Sequence, residues 1–209
     1  MKIKFSLGIL ALGTVLAVSS CAAELEGPTP DAGQADFTRT VAIGGTMLSG
    51  YQDGALYEDG QQTSIAALVA GQLTLAGAGS FDQALIPAGK SLGLNAYPWD
   101  SPYQTKSQLG DATDCNGEVS LGPIKEILQE ADLAGTTVFD KYAGNLMDFT
   151  VPYAGLWDLD NRQIGDDHTA LGPNTFAARL PFAGNNQSIL EAAIAANPTF
   201  AIMWPGMQD

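Results

Sequence analysis

Val41-Ala-Ile-Gly-Gly-Thr-Met-Leu-Ser-Gly-Tyr-Gln-Asp-Gly54 carries a buried-strand pattern directly into a glycine-rich turn. Val41, Ala42 and Ile43 read as the end of an interior strand, and Gly44, Gly45 and Gly50 permit a tight reversal with close backbone approach. The polar residues behind the turn then stand at the carboxyl end of a strand. In open α/β sheets that is the edge where ligands bind.

Working outward, strand-like and helix-like segments alternate. Thr63 to Leu75 is alanine-rich and apolar, a helix with Thr63 or Ser64 as N-cap, ended by Gly77 and Gly79. The stretch from Ser80 to Gly122 is too polar and too punctuated by glycine and proline for a regular element, and its length suggests an inserted loop on the substrate side. Pro123 to Leu133 has helical spacing at Ile124, Ile127, Leu128 and Ala131, and Asn145 to Val151 can form a second strand. Asn186 to Ala196 is a helix with Ile189, Leu190, Ala193 and Ile194 on one face, stopped by Asn197-Pro198, and Phe200-Ala-Ile-Met-Trp204 follows as a buried strand. This alternation predicts an α/β fold, a three-layer α/β/α sandwich with a parallel sheet.

The first twenty residues read as a processing signal, with Lys2 and Lys4 ahead of an apolar run from Leu7 to Val18 that is too short to span a bilayer. The run closes on Val18-Ser-Ser-Cys21, which resembles a bacterial lipobox. That resemblance implies a lipidated Cys21, membrane attachment through its acyl chains, and a place at the bacterial cell envelope, on the outer membrane or cell surface. Residues 21–36, with Pro28, Pro30 and Gly33, then serve as anchor and flexible tether, and 37–209 form one domain. With Cys21 lipidated, Cys115 has no disulfide partner, and its turn-like setting in Asp111-Ala-Thr-Asp-Cys-Asn-Gly117 marks it as incidental.

The 209-residue chain carries 9 basic and 23 acidic residues, and loss of Lys2 and Lys4 with the leader leaves 7 against 23. Such a balance repels phosphate backbones and anionic lipid, so nucleic acid is not an expected partner. Asp158, Asp160, Asp166 and Asp167 gather carboxylates as calcium loops do. Arg162 and Gln163, however, occupy positions where such a loop needs an oxygen ligand and a glycine, so they read as a solvated acidic loop and no metal is expected. Trp157 and Trp204 with Tyr153 could stack on sugar, but packing at the rim or in the core is the simpler use.

The opening segment resembles the first conserved block of the SGNH/GDSL hydrolases, in the lipoprotein-type branch whose block runs approximately Gly-Asn-Ser-Leu-Thr-Ala-Gly-Tyr-x-Asp-Gly. On that resemblance Thr46 stands at the serine nucleophile position. Thr46 keeps a hydroxyl, and its extra methyl restricts χ1 in a crowded turn. Phe149-Thr-Val-Pro-Tyr-Ala-Gly155 resembles the second block, with Tyr153 at the oxyanion-hole glycine. Asn197-Pro-Thr-Phe200 followed by Trp204-Pro-Gly-Met-Gln-Asp209 resembles the third, with Gln208 at the oxyanion-hole asparagine. Gly172-Pro-Asn-Thr-Phe-Ala-Ala-Arg-Leu180 is also typical of the branch.

The fourth block, Asp-x-x-His, is not present up to Asp209. The one histidine, His168, is preceded three residues earlier by Gly165 rather than Asp and reads as a surface-loop residue. The resemblance thus implies the N-terminal part of an SGNH-like, flavodoxin-like domain whose sheet lacks C-terminal strands and has an open edge. The implied activity is hydrolysis of small-molecule or glycan esters without a cofactor, weak or absent given the altered positions. The alternative is a degenerate surface lipoprotein that binds such ligands without turnover.

Overall fold

The computed structural model describes residues 27, 29–93, 103–125, 127–128, 140–165 and 174–206. The chain divides into two compact units, Met1–Pro30 and Asp31–Asp209. Only the second is described in any detail, and it is mixed α/β.

Its elements, in chain order, are strand β1 (Thr40–Gly44), helix α1 (Thr46–Ser49), β2 (Ala55–Leu56), α2 (Glu58–Gln62) and α3 (Ile65–Leu73), the last continued by a 3-10 turn at Thr74–Ala76. Next come β3 (Leu92–Gly93), β4 (Tyr103–Gln104), β5 (Gln108–Thr113), β6 (Val119–Ile124), β7 (Ile127–Leu128) and β8 (Asp148–Thr150). A 3-10 turn at Trp157–Asp160, α4 (Thr175–Ala178), α5 (Ile189–Ala195) and β9 (Phe200–Trp204) complete the order.

Among the described residues the main sheet has three strands in the order β8-β1-β9, all parallel. All five residues of β1 are buried, as expected for a central parallel strand covered on both faces. Successive side chains point to opposite faces, and the cores follow that alternation. Val41 and Ile43 join one apolar cluster with Phe149, Val151, Phe182, Ile189 and Ala193, whereas Ala42 joins another with Leu48 and Ala66, against which Ile202 packs. The sheet therefore buries apolar residues on both sides.

The two longer helices begin where the sequence has its capping residues. At α3 the choice falls on Ser64, whose Oγ accepts from the Ala67 N–H, while the Thr63 hydroxyl donates to the Asp59 carbonyl. At α5 Ser188 and Glu191 form a reciprocal capping box.

Four expectations are corrected. The 80–122 region contains regular structure: β3 pairs with β2, and β5 and β6 form an antiparallel hairpin. The hairpin turns at Asp114-Cys-Asn-Gly117, where Asp114 Oδ1 accepts from the Asn116 and Glu118 amides and Gly117 takes φ +85°. Second, the described part of 123–133 is strand rather than helix. Pro123 lies opposite Leu109 in the hairpin and Ile127–Leu128 pair with β4, so non-local pairing overrides the helical spacing. Third, Ile194 is exposed, and α5 buries Ile189, Ala192 and Ala193 instead. Fourth, β9 is a strand but not a buried one, because among the described residues it is an edge. Phe200, Met203 and Trp204 are all exposed.

The opposite edge, β8, is covered. The Asp82 carbonyl accepts from the Met147 and Asp148 amides. Gln61 Nε2 donates to the Ala84 carbonyl while its Oε1 accepts from the Ile86 amide at 2.7 Å. Arg179, deeply buried, donates to the Ala84 and Leu85 carbonyls at 2.5 and 2.7 Å. Desolvation lowers this guanidinium to about 10, so it remains charged at neutral pH.

Candidate active site

The turn after β1 is shaped by absent side chains. A Cβ on Gly44 would lie 2.7 Å from the Trp204 carbonyl oxygen, and one on Gly45 would lie 2.7 Å from that of Ala154. The backbones of β9 and of the loop after β8 thus close on the turn from either side. Gly50 ends α1 at φ +74°, against the Gly60 backbone.

Thr46 is the first residue of α1, just beyond the carboxyl end of β1. Its Oγ1 accepts a hydrogen bond from the Tyr153 N–H at 2.9 Å, joining segments 107 residues apart. Ser49 points elsewhere: it is buried and its hydroxyl donates to the Thr46 carbonyl at 3.0 Å.

Tyr153 sits at φ +63°, a left-handed conformation that glycine adopts without strain and a tyrosine adopts only when its surroundings hold it there. Two supports are visible. Asn174 Nδ2 donates to the Pro152 carbonyl at 3.0 Å, while its Oδ1 caps α4 by accepting from the Phe176 and Ala177 amides. In a trans peptide the carbonyl and N–H point opposite ways, so anchoring the Pro152 oxygen aims the Tyr153 N–H at Thr46. The second support is aromatic. The Tyr153 ring stacks on Phe176 with centroids 6.2 Å apart and meets Tyr51 edge-on at 5.2 Å, and Tyr51 meets Phe176 edge-on at 5.5 Å. Burial, with the neighbouring Tyr153 hydroxyl, pushes the Tyr51 phenol well above its ordinary range, so it stays protonated.

The structure thus brings Thr46 and Tyr153 together. Gln208, His168 and Cys21 lie outside the described residues. Sequence reading missed Asn174, Tyr51 and Phe176. Asn174 had a legible signal as a helix-capping residue before Thr-Phe-Ala-Ala, but its reach to Pro152 had none. Of the acidic loop, Asp158 Oδ2 accepts from the Gly155 amide at 2.9 Å, and Arg162 pairs with Glu191. Among the described residues no three His, Cys, Asp or Glu side chains gather to hold a metal.

The site's edge is apolar. Met47, Tyr153, Leu156 and Trp157, in the segments following β1 and β8, and Trp204, the last residue of β9, are all exposed, with Trp157 at 89%. The insert attaches beside the same loop. The Ser107 amide donates to the Asp53 carbonyl at 2.7 Å, and Lys106 Nζ lies 4.4 Å from the Tyr57 ring centroid. Tyr57 in turn donates to Asp53 Oδ2 at 2.7 Å, and burial together with that carboxylate raises its phenol to about 12.

No protein-family model matches the chain, and neither a characterised protein nor a solved structure matches it.

Proposed function

We propose that this chain is an SGNH-type ester hydrolase of low turnover, built on a three-layer α/β/α scaffold and tethered to a bacterial cell envelope through lipidated Cys21. The observation that carries the reading is the 2.9 Å hydrogen bond from the Tyr153 N–H to Thr46 Oγ1. It unites the first and second motif-like blocks beside the carboxyl ends of parallel strands, where an acyl-transfer site needs a hydroxyl and a backbone donor within reach of one carbonyl. Apolar clusters on both faces of the sheet support the layered scaffold.

In this reading Thr46 Oγ1 attacks the ester carbonyl as its proton passes to water, and the Tyr153 N–H turns from the hydroxyl to the oxyanion, joined by the Thr46 amide and Gln208. The acyl C–O bond then breaks, the leaving alcohol takes a proton from water, and a second water hydrolyses the acyl-threonine to free acid and hydroxyl. The threonine methyl and the exchange of asparagine for glutamine account for slow chemistry, since loss of one well-placed oxyanion donor costs about 3–4 kcal/mol of barrier. The reaction calls for no cofactor. The expected outcome is slow hydrolysis of a chromogenic short-chain aryl ester, abolished by Thr46→Ala and accelerated by Thr46→Ser. Unchanged turnover in Thr46→Ala would remove Thr46 from the chemistry.

A second reading, a binder of ester or glycan ligands without turnover, is favoured by the Tyr153 ring standing locked between Tyr51 and Phe176 where a glycine would leave open space. It predicts calorimetric binding of a short-chain ester, lost on Thr46→Trp, with no product formed.

A further inference from the structure

At the opposite end of the sheet from Thr46, where β1 and β8 begin, lies a cavity of about 500 Å³. That volume falls within the range of small-molecule sites. Its residues come from the start of β1, the segment leading into β8, the Pro181-Phe182 turn and the C-terminal half of α5. Phe149 and Phe182 lie beneath its floor in the core, and the apolar surface it offers comes from half-buried Met147, Pro181 and Ala196, with exposed Ala195 leaving room where a larger helix residue would fill the space.

Three polar side chains line the same cavity, Arg39, Asn145 and Gln187. None of them makes a side-chain hydrogen bond or ion pair within the described residues, although each carries N–H donors. Asp36, close enough to feel the charge of Arg39, is committed to the Thr38 amide and hydroxyl at 2.9 and 2.6 Å. Lys141, another cation of this region, is turned to the Ala183 carbonyl. Among the described residues that line the cavity, Arg39 is thus the cation left to meet a ligand.

An apolar wall with one guanidinium and two carboxamides at a concave site fits a ligand with an apolar body and a single carboxylate. Arg can grip that carboxylate through two parallel N–H bonds. We propose that this cavity binds a medium-chain aliphatic carboxylate, its head on Arg39 and its chain along Met147, Pro181 and Ala196. The inference is independent of the chemistry at Thr46.

Calorimetric titration of the full chain with decanoate tests it, with decylammonium as the charge-reversed probe. Expected are saturable one-to-one binding of decanoate, no binding of decylammonium, at least about tenfold weakening in Arg39→Gln, and loss of binding in Ala195→Phe. Ala195 and Arg39 are both exposed, so neither substitution disturbs the core, and an unchanged thermal melt verifies this. Thr46→Val should leave decanoate affinity within about twofold. The proposal is overturned by absence of saturable binding, by equal affinity for the two probes, by indifference to Arg39→Gln or Ala195→Phe, or by loss of binding in Thr46→Val, which would place the ligand beside Thr46 instead.

Discussion

The two edges of the central sheet are finished in opposite ways. Along β8 every residue is buried, the 82–86 segment supplies hydrogen bonds, and Gln61 and Arg179 satisfy the carbonyls and an amide that this cover brings with it. Along β9 the register with β1 is complete over five residues, but the outward side has no described neighbour and Phe200, Met203 and Trp204 face solvent. Backbone pairing alone therefore does not bury a strand. Burial on the β8 side comes from side chains that act as surrogate backbone for an irregular segment.

The largest expected effect lies on the covered edge. Phe149→Ala removes a ring that is 3% exposed and should destabilise the domain by about 3–5 kcal/mol in urea titration. A loss below about 1 kcal/mol would show that the β8 side is loosely packed and erase the contrast.

A smaller, pH-dependent effect sharpens it. Asp148, fully buried in β8, accepts from the Thr150 amide and hydroxyl and from Gln83 Nε2. Burial nevertheless raises its carboxyl above the ordinary value, outweighing the hydrogen bonds to Thr150 and Gln83 that lower it. The folded state then holds the proton more tightly than the unfolded chain. The resulting stabilisation is fully present below the ordinary carboxyl range near pH 4 and is lost as pH rises through the raised value. Asp148→Asn should abolish that decline, so the difference in urea midpoint between variant and parent grows with pH until Asp148 is fully ionised. Parallel midpoint curves would show that the carboxyl titrates normally.

The smallest effect belongs to β9. Met203 is 53% exposed, and Met203→Lys should shift stability by no more than about 0.5 kcal/mol while reducing self-association in sedimentation, because a lysine on a free edge disfavours strand addition. A loss of several kcal/mol would show that β9 is covered in solution and that the two edges are alike.

Much of this was legible in sequence, and the exceptions share a cause. The strand at 41–44, the capped helices at Ser64 and Ser188, and the glycine turn follow from local patterns: apolar runs, caps and positive φ. The meeting of Thr46 with Tyr153 followed only from resemblance between separated blocks, because nothing local in either segment encodes a partner 107 residues away. The β5–β6 hairpin escaped notice because its strands, almost wholly exposed, lack the apolar alternation that burial imposes. The exposure of β9 escaped for the opposite reason. Phe-Ala-Ile-Met-Trp is written like an interior strand, and composition does not reveal which neighbours are at hand. Asn174 shows a third kind of gap, since its capping role is local but its hold on the Pro152 carbonyl belongs to the tertiary fold.

The glycine turn also bears on how such a chain tolerates mutational drift. At Gly44 and Gly45 any side chain meets a backbone oxygen, so substitutions there are rejected for reasons of shape, whatever the protein does. At Thr46 a serine fits the same space and keeps the acceptor for the Tyr153 N–H, so that exchange is open to selection on activity. A saturation library sorted only for folded protein should thus be depleted at both glycines and retain serine at Thr46. A lineage descending from this fold can gain or lose its reaction through one hydroxyl-bearing position while the loop around it persists unchanged.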